Sequence, residues 1–372
     1  MHIPFCKQAC TYCNFHFTTS LHYKNELVAA IVKETELQKD FLQGEEIATI
    51  YFGGGTPSLL NSEDLKLLID KIKSVFSVAE NGEVTLEANP DDITEKKLFA
   101  WKDIGINRLS IGIQSFLEED LVWMNRAHSR ELAVRSLQLA VKEFQNISID
   151  LIYGSPFLSD EQWKKNVDLA VSFGIPHLSC YALTVEEKTP LHKQIALKKT
   201  NDIDSDKQAH QFLLLMQWLR DYGYEHYEVS NFAKPGFRSR HNSSYWQGKK
   251  YLGLGPSAHS YDGLVRKWNV ANNKKYIAAI EKGVMDNETE VLTETQMLNE
   301  YIMIALRTIE GLDLEKIKTV WSNEKVREIE KSLPHFKKHG LITIQENKVQ
   351  LTDEGMLRAD GIASDLFFPL SP

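Results

Sequence analysis

The sequence has no long apolar run. Its longest, around Phe212 to Leu219, falls far short of the roughly 20 residues a helix needs to cross a bilayer core of about 30 Å. The chain opens Met1-His2-Ile3-Pro4-Phe5-Cys6, without the basic start and apolar stretch of roughly 7–15 residues that a secretory signal carries. These absences predict a soluble, cytoplasmic protein. Positive charge is not in excess either. Lys and Arg number 43 against 51 Asp and Glu, a net −8 at pH 7, which favours solubility and argues against a sequence-independent grip on phosphate backbones. No internal repeat and no low-complexity tract stands out. With 42% hydrophobic and 25% charged residues, the disordered, collagen-like and coiled-coil classes lose their compositional support.

Cysteine is scarce and unevenly placed. Of four in 372 residues, Cys6, Cys10 and Cys13 fall within eight residues and Cys180 lies far away, which is no disulfide framework. In a reducing compartment clustered thiols are metal ligands or redox groups more often than bridges. Structural zinc sites typically pair two short motifs, and no second pair exists here. A cubane iron–sulfur cluster usually takes four thiolates, so three close ones imply an iron with its fourth position open to an exogenous ligand. Cys180, inside Leu178-Ser179-Cys180-Tyr181, reads instead as a small core residue.

At roughly 150 residues per domain the length suggests two to three domains, or one large barrel with attachments. Apolar, β-branched runs recur at Ile47 to Phe52, Glu83 to Ala88, Arg108 to Ile113, Ile147 to Tyr153 and His177 to Leu183. Helical spacing fills the gaps, as at Leu65, Leu68, Ile69, Ile72 and Phe76, and more loosely at Leu132, Val134, Leu137 and Val141. The alternation predicts an α/β fold with a parallel sheet and crossover helices. Functional residues of such folds gather at the C-terminal ends of the strands, which here carry Gly53-Gly54-Gly55-Thr56, Glu87, Gln114 and Asp150. After Leu183 the strand rhythm stops, and Asn201 to Asp206 leads into a helix with Phe212, Leu215, Met216 and Leu219. From about Thr293 to Phe368 the pattern is helices, then Gly340 to Ile344, a turn near Glu346-Asn347, and Lys348 to Thr352, which resembles a winged-helix module. Its mixed charges favour a structural or partner-contact role over DNA binding.

His2-Ile3-Pro4-Phe5-Cys6, the Cys6/Cys10/Cys13 spacing with Tyr12 before the last cysteine, and Gly53-Gly54-Gly55-Thr56-Pro57 together resemble the radical S-adenosylmethionine (SAM) superfamily. Within it they are similar to the branch holding oxygen-independent coproporphyrinogen III oxidase and the HemW-type haem chaperones, over nearly the whole chain. The resemblance implies a partial (β/α)6 TIM-like barrel and a [4Fe-4S] cluster on Cys6, Cys10 and Cys13. It also implies SAM across the strand ends, bound by Tyr12, Gly54, Gly55, Thr56, Glu87, Gln114, Arg126 and Asp150. The oxidase branch has a further cysteine two residues beyond the third, where this chain has Cys13-Asn14-Phe15. Arg240-His241-Asn242-Ser243-Ser244-Tyr245-Trp246 in turn resembles the His-Asn-x-x-Tyr-Trp signature of the haem chaperones. His241 is then the expected haem ligand, with Tyr245 and Trp246 as flat apolar faces and Arg238, Arg240, Lys249 and Lys250 as propionate partners; His259 is the alternative ligand.

The expected function is a haem chaperone that retains a SAM-ligated cluster and passes haem to acceptor proteins, with a homodimer open. The rival is a radical SAM enzyme acting on a porphyrinogen, or a related methyltransferase. The expected domains are 1–230, the barrel; 231–292, an aromatic and glycine-rich connection carrying His241; and 293–372, the C-terminal module. Only Met1 to Phe5 precede Cys6, against roughly five or six residues in a typical strand, so the first strand is expected to be truncated, its remainder lying upstream of Met1.

Overall fold

In the computed structural model, which describes residues 1–370, an eight-stranded sheet has the order β1-β2-β3-β4-β5-β6-β8-β7. The strands are β1 (His2–Ile3), β2 (Ile47–Gly54), β3 (Val78–Ala88), β4 (Arg108–Gln114), β5 (Ile147–Tyr153), β6 (His177–Ala182), β7 (Glu225–Glu228) and β8 (Asn231–Ala233). The first six run parallel, and each is followed by at least one helix that covers the outer face, the last being Ser205–Asp221. This is the open (β/α)6 barrel anticipated above. At its front the ladder is short: Gly53 N–H donates to Met1 O at 3.0 Å and the Met1 ammonium donates to Tyr51 O at 2.6 Å.

Two expectations need correction. The strand rhythm does not stop after Leu183, because β8 pairs antiparallel with β6 and β7 with β8. Both are short, and β7 is largely polar, so their strand character depends on pairing with β6 rather than on local pattern. The sheet thus ends at Ala233, just past residue 230. The helix Arg130–Glu143 buries Ala133, Ser136, Leu137 and Ala140, whereas Val141 is exposed. Small residues let this helix lie close to the sheet, so large apolar side chains alone misjudge its inner face.

Helix starts follow ordinary capping chemistry. Asn61 accepts from Asp64 N–H ahead of Ser62–Val75, and Ser159 with Gln162 closes a reciprocal capping box ahead of Asp160–Ser172. The main core lies between the sheet and these helices, and Cys180 belongs to it. A second core draws on Leu298 to Leu366. It packs four helices against a ribbon of Ile342–Gln345 and Lys348–Leu351, joined through Glu346 and Asn347, both in the left-handed region as a tight hairpin requires. Between the two lies a small antiparallel sheet of His259–Tyr261, Val265–Asn269 and Asn287–Val291.

Alternation along the strands sorts side chains strictly. Leu109, Ile111 and Ile113 join the outer core with Val84, Leu86, Ile149 and Leu178. The other set faces the barrel interior and is polar: register aligns Tyr51 with Thr85 and Arg108, Glu87 with Ser110 and Ser148, and Asp150 with Ser179.

Candidate active site at the barrel mouth

The cysteine loop leaves β1 and is stitched back to the glycine turn after β2. Gly55 N–H donates to Ile3 O at 3.0 Å and Thr56 N–H to Phe5 O at 2.6 Å. A Cβ on Gly55 would stand 2.7 Å from Phe5 O and 2.8 Å from Ile3 O, and Gly54, at φ +107°, would meet the His2 ring. Both positions therefore require glycine, for close approach and for backbone conformation.

The three thiols lie half-buried in this loop, each tied to the frame differently. The Thr56 hydroxyl donates to Cys6 Sγ at 3.6 Å, Arg126 Nη1 to Cys10 Sγ at 3.2 Å, and Cys13 N–H to Cys10 O at 3.4 Å. Arg126, after β4, does not point to solvent. Its Nη2 donates to Asn89 Oδ1 at 2.7 Å and to Gly112 O at 2.8 Å, while Asn89 Nδ2 donates to Thr56 Oγ1 at 3.0 Å. A continuous chain Cys6–Thr56–Asn89–Arg126–Cys10 results. Asn89, at the end of β3, is absent from the residues expected above; in sequence it is one polar residue before a proline, which reads as a turn.

Burial pushes the Cys6 thiol up to about 11 and also raises Cys13. Holding three thiolates here thus requires a positive centre, the condition under which metal binding drives deprotonation. Among the described residues no three His, Cys, Asp or Glu side chains converge tightly enough for a single metal ion. A cubane spreads its thiolates over separate iron corners, and the donor chemistry of three cysteines fits that group.

The remaining expected residues line the same mouth. Tyr51 OH donates to Glu87 Oε1 at 2.7 Å and Gly54 N–H to Glu87 Oε2 at 3.2 Å. Burial raises Glu87, and burial followed by the Glu87 charge raises Asp150 to about 7. Gln114 adopts φ +67° where the β4–β5 register shifts, a sparsely populated conformation of the kind that collects at ligand sites. Tyr12 packs beside the buried side chains of Met124 and Leu183.

His241 lies elsewhere, beneath the barrel. It sits in the helix Arg240–Trp246, whose first amides, Arg240 N–H and His241 N–H, donate to Glu83 at 3.0 Å each. Its Nδ1 is 2.8 Å from Thr49 Oγ1, its Nε2 is 3.1 Å from Tyr245 OH, and its ring stacks on Tyr51 at 4.6 Å. Burial, then the Met1 ammonium, lowers it to about 3, so the imidazole is neutral. A cavity of about 610 Å³ runs along the β2 edge beside it, with Arg240, Lys249 and Tyr251 in its wall. Two of the expected propionate cations are already paired, Arg238 with Glu225 and Glu310 and Lys250 with Glu45. Trp246 is covered by the Arg307 guanidinium, 5.6 Å from its ring. His259 is exposed and stacks on Trp268.

The radical SAM superfamily model matches residues 1–170, and the HemN C-terminal domain model matches residues 292–358. The solved coproporphyrinogen III oxidase HemN of Escherichia coli superposes with a TM-score of 0.84 over 98% of this chain and 88% of its own, at 23% identity, which establishes a common fold. The heme chaperone HemW of Mycobacterium tuberculosis (strain H37Rv) is 32% identical over 372 residues, covering 98% of this chain and 93% of the relative. That of Bacillus subtilis (strain 168) is 32% identical over 361 residues, 96% and 95% of the two chains. The chain belongs to the radical SAM superfamily and, within it, to the family of these HemW proteins.

Proposed function

We propose that this protein binds haem and delivers it to acceptor proteins while carrying a [4Fe-4S] cluster and SAM at the barrel mouth. The observation that carries the reading is the 32% identity to heme chaperones over nearly the full length of both chains. In this reading Cys6, Cys10 and Cys13 would hold the cluster, which would supply one-electron chemistry to SAM bound beside it. Tyr12, Gly54, Gly55, Thr56, Glu87, Gln114, Arg126 and Asp150 hold SAM. Glu87 accepts from ribose hydroxyls, and the glycine turn lets the backbone approach the ligand.

Haem is placed at the cavity beside His241. Its size lies within the roughly 300–1,000 Å³ of small-ligand pockets, and its wall joins aromatic faces to the cations Arg240 and Lys249. Ligation requires the His241 ring to leave Thr49 and Tyr245, and its neutrality suits a metal ligand. Haemin titration of the purified full chain tests both levels. A Soret shift saturating near one equivalent, weakened at least about tenfold by His241→Ala and not by His259→Ala, is expected, a loss of about 1.4 kcal/mol or more. Unchanged affinity in His241→Ala removes that ligand assignment, and no haem binding at all removes the function. Cytoplasmic location belongs to the same proposal; among the described residues no helix is long and apolar enough to cross a membrane.

A further inference from the structure

Beneath the mouth, the barrel interior holds a charge that the cluster and SAM assignments leave unused. Arg108 opens β4 and is only 1% exposed. Two of its nitrogens, Nε and Nη2, are buried with no hydrogen-bond partner among the described residues. A guanidinium does not escape by deprotonating, and an uncompensated buried charge is among the costliest features a fold can carry. The strand register shows what compensates it. Arg108 lies beside Thr85, two residues before Glu87 on β3, and Ser110 beside Ser148, two residues before Asp150 on β5. On the same interior face, Glu87 therefore stands one layer nearer the mouth than Arg108, and Asp150 two.

We propose that Arg108 is a positioning residue of the SAM site, the fixed counter-charge that keeps Glu87 and Asp150 together as anions facing the ligand. The proposal rests on the reading of the mouth as a SAM site. The other cations there each act on one of the two carboxylates, the Met1 ammonium on Glu87, ahead of Arg108, and Arg126 on Asp150, behind it. Arg126 is engaged by Cys10, Asn89 and Gly112. The Met1 ammonium is held by Tyr51 O. From β2 Tyr51 donates to Glu87, from β5 and β6 Asp150 faces Glu87, Tyr181 and Ser179, and His177 is neutralised by burial and the Arg108 charge. Arg108 is the cation that acts favourably on both carboxylates from below.

The consequence is a pH dependence that a merely structural arginine would not produce. With Asp150 titrating at about 7, loss of the counter-charge by roughly one pKa unit lowers its ionised fraction at pH 7 about fivefold, and the deficit closes near about pH 9. The experiment measures SAM affinity by equilibrium dialysis across that range, on anaerobically reconstituted wild-type, Arg108→Gln and Arg108→Lys proteins. Expected are a roughly fivefold weaker affinity at pH 7 in Arg108→Gln that recovers as pH rises, and a near-wild-type profile in Arg108→Lys. A parallel, pH-independent loss in Arg108→Gln, no loss, or an equal loss in Arg108→Lys overturns the proposal. Absence of SAM binding in the wild type instead overturns the SAM reading itself. If Arg108→Gln does not fold, the double variant Arg108→Gln/Asp150→Asn decides: removing the partner charge restores folding if the two are compensating, and fails to do so if they are not.

Discussion

Replacing Asn89 by alanine tests whether the bridge from Cys6 to Cys10 is one unit. The side chain has two jobs there: its Oδ1 receives Arg126 Nη2 at 2.7 Å and its Nδ2 donates to Thr56 Oγ1 at 3.0 Å. A hydrogen bond to a charged group contributes about 1.5–3 kcal/mol and a neutral one about 0.5–1.5 kcal/mol. Asn89→Ala removes both, while Arg126 retains Gly112 O and Cys10 Sγ, so the expected destabilisation is about 2–4 kcal/mol. Asn89→Asp keeps the acceptor and loses the donor, which limits its cost to about 1 kcal/mol. Urea unfolding of the cluster-free chain measures the two values. Iron and sulfide content after anaerobic reconstitution measures the functional side, where Asn89→Ala is expected to fall well below Asn89→Asp. If the two variants are equally stable and load equally, Arg126 and Thr56 are not held through Asn89 and the bridge is only a set of separate contacts.

Two further outcomes follow from the same geometry. Gly55→Ala places a methyl group under 3.0 Å from backbone atoms of Ile3 and Phe5, an overpacking expected to cost about 1–3 kcal/mol and to depress cluster loading, whereas Gly174→Ala, where a Cβ meets nothing within 4 Å but φ is +69°, costs stability without touching the loading; equal loading defects in both variants contradict the role of the turn. Buried neutral histidines weaken the fold in acid. His2, His128 and His226 are lowered to about 4, His241 to about 3, and His177 well below its ordinary value, all chiefly by burial. A folded pKa below the unfolded value near about 6.5 means that the unfolded chain takes up protons first, so stability is present above about pH 6.5 and is lost as pH falls toward 4. Buried carboxylates act in the opposite sense, adding stability as pH falls: Glu34 and Asp150, both raised to about 7, and Glu87, Asp120, Glu228 and Glu300, raised chiefly by burial. The histidine contribution is therefore read by difference: between about pH 6.5 and pH 5 the melting temperature of the cluster-free His226→Gln variant is expected to fall less, or rise more, than that of the unmodified chain; equal slopes contradict the burial of this ring as a neutral group.

Most of the barrel was legible in the sequence because its strands alternate. The alternating apolar members of β2 to β6 place these five strands within about five residues of their observed bounds. The same alternation carries a second message in its polar members: Thr49 and Tyr51, Thr85 and Glu87, Arg108 and Ser110, Ser148 and Asp150, His177 and Ser179. Such period-two polarity in parallel strands that are covered by helices means a polar interior, and this signal was available for Arg108 and Tyr51 before any coordinates. What local pattern does not carry is direction and partnership across long separations. Arg126 becomes a cluster-facing residue only through Cys10, 116 residues away. The helix that holds His241 is capped by Glu83, 158 residues upstream, and no motif string reveals that its imidazole turns inward onto Tyr51. That orientation links the two ends of the barrel: Tyr51 carries the His241 ring on its face and gives its hydroxyl to Glu87. On the proposed assignment of His241 to haem and Glu87 to SAM, withdrawing the imidazole would uncover the same tyrosine that donates to the carboxylate at the mouth, which makes Tyr51→Phe the substitution that separates the two: SAM binding is expected to weaken through Glu87 while haem binding keeps the stacked ring.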